Sequence, residues 1–485
     1  MLRGGYELIS IACLKKCPQM ESPERFRIRV ILTLLLGLAT AVMASLLELS
    51  APKVISLAVF LTMIYATLLL WSFRLVFTFF GIFALTTLGV LDIPHLVKFA
   101  HLDVILFLIA MMTFIGFLEE DGFFDLVVSK IVGITRASYK VMFLVLIFLS
   151  AFLAALVDEV TSILIMASLA LSVTEKMRVN PFPLLISIIF ATNIGSSMTV
   201  VGNPVGVMIA FSAGLTFMDF LRWATPISLI AVMLSAALLR LQFKMHIEEG
   251  DARVRTLISE WQEPSTRIGQ KRFLLDGLLF ATTMVALALH HPLEELLGLE
   301  KNTLLLAIPM LASGLVLLLD PAKGFEAFEK RVEWRTIIFF LLLFASVGTL
   351  EYVGLVEDFS AGIAGIAGHS LESLIATLVP LASLMSATLD NVLAVAILVP
   401  VVRDLSAYGV PQYPLWWIAL FTACYSANFT PVGSTANIVA VGLLERRGYR
   451  ISFAEWLKAS VPVTLATLAL STLLVYVQIP LMPTS

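Results

Sequence analysis

Two short acidic stretches interrupt long apolar surroundings. "VDEVT" sets Asp158 beside Glu159 between apolar runs over 140–157 and 160–175, and "LDNVL" sets Asp390 beside Asn391 between runs over 371–389 and 391–403. A carboxylate inside apolar sequence is costly, and where it is kept it marks an ion path, a proton relay or a ligand site. Asp158 and Asp390 each precede an apolar arm and can cap a helix there, a role compatible with ion binding. Glu159 has no capping position to fill, and its counterpart is Asn391. Buried in a membrane, such a carboxyl can exchange a proton; a salt bridge or an exposed position is the competing reading.

Two further stretches are rich in small polar residues where helix is expected: "TNIGSSMTVVGNPVG" (Thr192 to Gly206) and "SANFTPVGSTAN" (Ser426 to Asn437). Pro204 and Pro431 lack an N–H, and Gly195, Gly202 and Gly433 gain little from staying helical. Broken backbone at membrane depth is tolerated only where it is buried in protein or lines a cavity, and its carbonyls, amides and half-helix ends can then bind an ion. The candidate binding residues of the first half are Asp158, Glu159, Thr161, Asn193, Ser196, Ser197, Thr199 and Asn203. Those of the second are Asp390, Asn391, Asn428, Thr430, Ser434, Thr435 and Asn437.

Positioning these residues is the task of a polytopic membrane protein. Of 485 residues 59% are hydrophobic and 14% charged, with mean hydropathy +0.97, whereas soluble domains run nearer a quarter charged. A net charge of -3 and the lack of a basic block give no reason to expect a nucleic-acid partner. Cys13, Cys17 and Cys424 form no disulfide framework, and neither the Cys13/Cys17 pair nor the six histidines has the company a metal site needs. No metal is expected beyond Na+ at the breaks, and no cofactor. The run in "YELISIACLKK" is short, interrupted by Glu7 and without a small-residue cleavage site, so no cleaved signal peptide is expected.

A helix needs about 20 mostly apolar residues to span a bilayer. Spans are expected near 30–48, 53–70, 75–91, 102–118, 182–212, 224–243, 273–290, 302–319, 334–350, 414–445 and 460–480, about 11 in all. The arms flanking Asp158 and Asp390 meet without a turn-forming Gly or Pro, and are read as two re-entrant hairpins, although arms of this length could also nearly cross. With the N-terminus cytoplasmic, 27 of the 32 Lys and Arg fall inside; only Lys53, Lys98, Arg222, Lys301 and Arg403 fall outside. The C-terminus then faces out. The expected divisions are a cytoplasmic segment 1–29, a first transmembrane half 30–243, a cytoplasmic linker 244–272 of mixed charge, and a second half 273–485.

The halves repeat. "GFLEEDG" from Gly116 matches "GTLEYVG" from Gly348 at an offset of 232, the offset that also sets Asp158 on Asp390. After one residue is lost, Gly202 falls on Gly433, and at an offset of 236 "FMDFLRWATP" matches "FAEWLKASVP". These matches fall on Gly, Pro and charged residues, which are scarce in an apolar chain. Between equivalent positions the chain crosses the membrane five times, or seven if the hairpins cross, so the second repeat is inverted. Inverted repeats with helices interrupted at the midplane are a transporter architecture. Glu119 and Glu351 close equivalent spans and are expected to be solvated helix ends; Arg222 and Lys458 are expected to be interfacial anchors.

These residues resemble the ion transporter superfamily with a citrate-transporter-like domain, in the branch that includes arsenite permeases, NhaD-type sodium/proton antiporters and the melanosomal P protein. The likeness covers roughly 30–480 and rests on the tips "VDEVTS" and "LDNVLA", the breaks "ATNIGSSMTVVGNP" and "ANFTPVGSTANIVAVG", and the two matched endings. The family's Asp-Asn tip is met fully at Asp390–Asn391 and only in its Asp at Asp158–Glu159. Its "TNIGG" has Ser196 for the second Gly, and its "GDPPN" reads "GNPVG", with Asn203 for the Asp and Gly206 for the final Asn. The second break keeps Asn428, Gly433 and Asn437, and its "TPVGS" looks like that of arsenite permeases. The resemblance implies transport by alternating access, often in a homodimer.

The expected function is a secondary active transporter of a small inorganic ion or oxyanion of arsenite or anion type, coupled to H+ or Na+, in the plasma membrane. A sodium/proton antiporter is the alternative. A di- or tricarboxylate symporter ranks below both, because the Ser-Asn-Thr tips of dicarboxylate carriers are absent. An intramembrane enzyme such as an aspartyl protease would need a carboxylate dyad in a "GxGD" context, missing at both aspartates. No "GxxxxGK[ST]" loop for ATP occurs.

Overall fold

The computed structural model describes residues 23–134, 138–257, 269–368 and 370–483. Cys13, Cys17, residues 1–22 of the N-terminal segment and residues 258–268 of the linker lie outside the described residues. Every regular element described is helical, and the chain falls into two compact units, Met1–Ile93 and Pro94–Ser485.

In the first unit α1 (Pro23–Leu46) packs along α2 (Ala51–Leu69), which starts on a proline in its first turn, and α3 (Arg74–Thr87) returns against α2. Thr40 and Tyr65 join α1 to α2 through a 3.1 Å hydroxyl contact. The other side of α1 is bare hydrocarbon: Leu34, Leu35, Leu38 and Leu46 are exposed, Leu38 by 62%. A continuous apolar face of this kind calls for lipid or protein rather than water.

The second unit carries the repeat. After α4 (Ile93–Phe99) come α5 (Leu102–Glu120), α6 (Phe123–Ile134), the hairpin α7 (Tyr139–Leu156) and α8 (Glu159–Lys176), then α9 (Phe182–Gly195), α10 (Pro204–Ala213) and α11 (Phe217–Gln242). The linker contributes α12 (Lys244–Leu257), and α13 (Gln270–Ala288), α14 (His290–Leu297), α15 (Thr303–Leu319) and α16 (Pro321–Lys330) follow. The order then recurs: α17 (Trp334–Tyr352), α18 (Leu355–Ala367), the hairpin α19 (Leu371–Thr388) and α20 (Asn391–Asp404), α21 (Gln412–Ser426), α22 (Thr435–Arg446) and α23 (Phe453–Gln478). α5 and α17 both have 19 residues, α7 and α19 both 18, and α11 and α23 both 26. Capping repeats too. α11 starts at a Thr216–Asp219 capping box and α23 at a Ser452–Glu455 box, each satisfying two otherwise unpaired backbone donors.

Contacts sort the second unit into two ends. At one, Glu175 at the base of the first hairpin pairs with Arg447 beyond α22 at 2.5 Å, Ser138 donates to Asp251 of the linker at 2.7 Å, and Gln242 reaches the Lys458 carbonyl at 2.9 Å. At the other, Arg403 at the base of the second hairpin reaches the Ser212 carbonyl at 3.5 Å, and Gln412 donates to the Arg403 carbonyl at 2.8 Å. Each half-helix after a break thus runs to the base of the opposite repeat's hairpin, and it packs on that hairpin's second arm. This exchange is how two inverted repeats interlock.

By length and composition nine helices among the described residues can cross a membrane, or ten if the 62° bent pair α13–α14 is one span, against about 11 expected. Three of the nine, Tyr139–Leu156, Leu371–Thr388 and Asn391–Tyr408, are hairpin arms that the expected 11 left out. Four expected spans fall short: Trp71–Thr87 and Thr303–Leu319 are shorter helices, 182–212 is two short helices around an eight-residue break, Ser196 to Asn203, and 414–445 is divided between Gln412–Ser426 and Thr435–Arg446.

Candidate functional site

Each hairpin turns within two residues, Val157–Asp158 and Leu389–Asp390, too few to leave the second arm's first amides a helical partner. The aspartates supply it. Asp158 Oδ1 accepts from the Val160 and Thr161 amides at 2.7 and 3.0 Å, and Asp390 Oδ1 from the Val392 amide at 2.9 Å. The other Asp390 oxygen accepts from the Thr435 hydroxyl at 3.2 Å, which ties the second tip to the second break, and the Asn391 amide donates to the Gly433 carbonyl at 3.1 Å. Asp390 has φ 139°, a left-handed-side backbone unusual outside glycine.

Glu159 is 2% exposed and faces the other repeat. Its Oε2 accepts from Ser196 Oγ and from Asn391 Nδ2, both at 3.4 Å. These are long, weak bonds for a carboxylate. Among the described residues no Lys, Arg or His pairs with it, so the salt bridge considered from sequence does not form there, and neither does the exposed position.

The breaks are held by their own polar side chains. Asn203 caps α10 through the Gly206 amide at 2.8 Å, and Ser434, its counterpart, caps α22 through the Ala436 amide at 3.0 Å. Thr199 donates to the Ala155 carbonyl and its counterpart Thr430 to the Ala387 carbonyl, anchoring each break on its own hairpin's first arm. Asn193 Nδ2 bridges the repeats, donating to Asn428 Oδ1 at 2.7 Å and Asn437 Oδ1 at 2.8 Å, while Asn437 Nδ2 donates to the Ala427 and Thr430 carbonyls at 2.8 and 2.9 Å. All three asparagines are fully buried, and Asn193 Oδ1 and Asn428 Nδ2 have no hydrogen-bond partner among the described residues. Unmatched polar atoms are costly at such depth and are available to a bound ion or water. Gly195 lies directly on the Ala151 backbone, where a Cβ would collide; Gly202 and Gly433 approach the Ser196 and Ala427 carbonyls in the same way.

Asp158, Glu159, Asn203, Pro204, Val392 and Thr435 line one narrow cavity of about 30 Å³ against Phe107 and Met111 of α5 and Glu333, Thr336 and Phe340 around α17. A water needs ~10–15 Å³ of such space, so water or a bare ion fits and a multi-atom oxyanion does not without movement. The charged residues lining it are all acidic: Asp158, Glu159 and Glu333. Among the described residues no group of three or more His, Cys, Asp and Glu is arranged to hold a metal ion.

Most of the sequence-derived residues therefore meet. Ser197 stands apart, hydrogen-bonded at 2.8 Å to Ser228, which Tyr425 also reaches at 3.0 Å; Pro431 is half-buried at the edge of its break. Glu119 is not a solvated helix end: Arg331 pairs with it at 2.9 Å and with Glu120 at 2.6 Å, because α16 delivers the guanidinium to the end of α5. Glu351 is exposed, as a helix end should be. Cys424, which the sequence placed in no disulfide framework, accepts from Asn203 Nδ2 at 3.1 Å. The repeat register carried that signal, since Cys424 is the counterpart of Asn193 in the frame that sets Gly433 on Gly202. Nothing in sequence pointed to Glu333, Thr336, Phe107 or Phe340.

Two interlocked inverted repeats, with hairpin tips and broken helices gathered at one buried polar site, define a membrane transporter. The sequence profile of the citrate transporter family matches residues 24–368 and 347–483, and the chain belongs to that family. A 46 kDa membrane protein of Mycobacterium leprae is 30% identical over 378 residues, spanning 76% of this chain and 84% of that one. The human P protein is 25% identical over 441 residues, 76% of this chain and 53% of its own. In fold, the YdaH transporter of Alcanivorax borkumensis is similar with a TM-score of 0.57 and 16% identity, over 80% of this chain and 87% of that one.

Proposed function

We propose that the protein is a secondary active transporter of a small inorganic ion or oxyanion, coupled to H+ or Na+, working by alternating access between the two ends of the second unit. The observation that carries this reading is Glu159, a buried carboxyl shared by both repeats through Ser196 and Asn391. A group so placed can trade a proton for a cation as the tips move. The hairpins are read as re-entrant: the first tip meets its break through Glu159 and Ser196, and α10 continues ten residues, about 15 Å, toward the far end. An anion entering a cavity with only acidic charges must travel with a neutralising cation, which makes coupling a requirement of the electrostatics.

That same acidic lining favours a second reading, sodium/proton antiport, in which the carboxylates are the whole binding site. Flux into proteoliposomes separates the two. Arsenite, sulfate, citrate, chloride and sodium are offered under imposed pH and sodium gradients; gradient-driven uptake of an anion supports the first reading, sodium movement against protons alone supports the second, and no gradient-driven flux of any of them removes both.

A further inference from the structure

A second cavity, of about 150 Å³, lies at the other end of α17 from Glu333. It is lined by Lys98, His101, Met208, Val347, Glu351 and Arg403, among others. The two cavities are consecutive along the same helices. Phe340 of α17 lines the tip cavity and Phe344 the second one, their rings stacked with centroids 6.0 Å apart at 13°, and on α20 Val392 faces the first while Val399 and Arg403 face the second. One aromatic pair therefore separates them on α17.

Their charges are opposite. Where the tip cavity holds only carboxylates, this one holds Lys98 and Arg403 against the single carboxylate Glu351. Neither Lys98 nor Arg403 forms an ion pair among the described residues, and the one hydrogen bond of the Arg403 guanidinium among them is the 3.5 Å contact to the Ser212 carbonyl. His101 adds little, with Asp103 3.9 Å away and burial holding its imidazole below the usual range. The placement is selective, too. Of the 32 Lys and Arg, the charge-based topology expects only five on the end opposite the basic loops, and two of those five line this one cavity.

We propose that this cavity is an anion-receiving vestibule, in which Lys98 and Arg403 concentrate a small anion beyond the Phe340–Phe344 pair before it passes to the tips. It rests on the transporter reading and adds the sign of the substrate's charge. Exposed cations around a concave, low-dielectric mouth raise the local concentration of anions and their rate of entry.

The test measures local potential without any substrate. Val347→Cys is placed in a Cys13→Ser, Cys17→Ser background, with Cys424 left buried, and Gly362→Cys on exposed α18 serves as reference. Reaction rates with anionic sulfonatoethyl methanethiosulfonate and cationic trimethylammonioethyl methanethiosulfonate are compared. The anionic-to-cationic ratio should be about tenfold higher at 347 than at 362, fall several-fold on Lys98→Gln or Arg403→Gln, and be kept by Arg403→Lys. A ratio equal to the reference, a ratio unmoved by Arg403→Gln, or no reaction at 347 with either reagent overturns the vestibule. Anion flux in proteoliposomes without this bias sinks the vestibule and leaves the transport reading; the bias without flux of any anion overturns the anion-transport reading, and with it the passage of an anion from this cavity to the tips.

Discussion

Glu159 is where the two repeats differ in kind, since the equivalent position is Asn391 and the two side chains touch at 3.4 Å. If it carries the coupling proton, Glu159→Gln keeps size and hydrogen-bonding capacity while removing the titration. The variant should fold, still exchange substrate across the membrane, and lose its response to a pH gradient. Asp390→Asn should retain the cap on Val392, because an amide oxygen caps nearly as well, yet weaken binding by removing charge beside Thr435. Normal pH-driven accumulation by Glu159→Gln, together with its loss in Asp158→Asn, would move the proton role to Asp158. At this scale the sequence was informative where a residue was out of place: acids in apolar runs, asparagines at helix breaks. It was silent on Phe107, Phe340 and Glu333, because a phenylalanine in a membrane helix and a glutamate at a helix start are what any span would show.

Among the elements, the breaks were legible because Gly, Pro and Asn leave a local mark, and the hairpins because an aspartate splits each apolar run, whereas the partner of each break was not. That Asn193 would bridge to Asn428 and Asn437, or that α22 would lie on the first hairpin, depends on tertiary exchange between halves. Between α7 and α9, Gly195 lies directly on the Ala151 backbone, beside the 2.7 Å Ser150–Thr192 hydrogen bond. Backbone cannot step aside as a flexible side chain can, so Gly195→Ala should force α7 and α9 apart, cost about 1–3 kcal/mol, and abolish transport by shifting the tip. Gly362→Ala, which meets open space, is the control. A Gly195→Ala protein with unchanged Tm and flux would refute the close-packing account. The linker helix makes a pH prediction. His246 lies 3.2 Å from the Tyr139 hydroxyl at the first hairpin's base, and burial holds its imidazole below the usual 6.5, Glu249 opposing this shift and Arg253 adding to it. The neutral form is the docked one. Its contribution is complete above 6.5 and is lost as pH falls below that toward the depressed value. Between pH of about 7.5 and about 5.5 the wild-type Tm should fall more steeply than that of His246→Gln; parallel profiles would contradict it.

Over the whole molecule, inversion was readable from the offset of 232 and the parity of the spans, and the structure gives it a geometric form. α9 starts beside the first hairpin's base, α10 ends at Ser212 beside Arg403 of the second, α21 starts there, and α22 ends next to Arg447, which pairs with Glu175 back at the first. The two bases therefore lie at opposite ends of a path that passes through both breaks. The span count was less legible, because a broken helix and a continuous one have the same hydropathy until packing shows where the chain bends. The linker helix α12 sits on the first hairpin's base through Asp251 and Ser138, while α18 packs against the second hairpin's arm and the turn Leu405–Tyr408 that follows it. With the basic loops facing the cytoplasm, a cysteine at exposed Ala252 should react with an impermeant maleimide only after the membrane is opened, and one at exposed Ala361 should react in intact cells. The opposite pattern would turn the molecule over without touching the repeat. Labelling of both positions from the same side would break the inversion itself, since no pair of inverted halves can present the bases of both hairpins to one face.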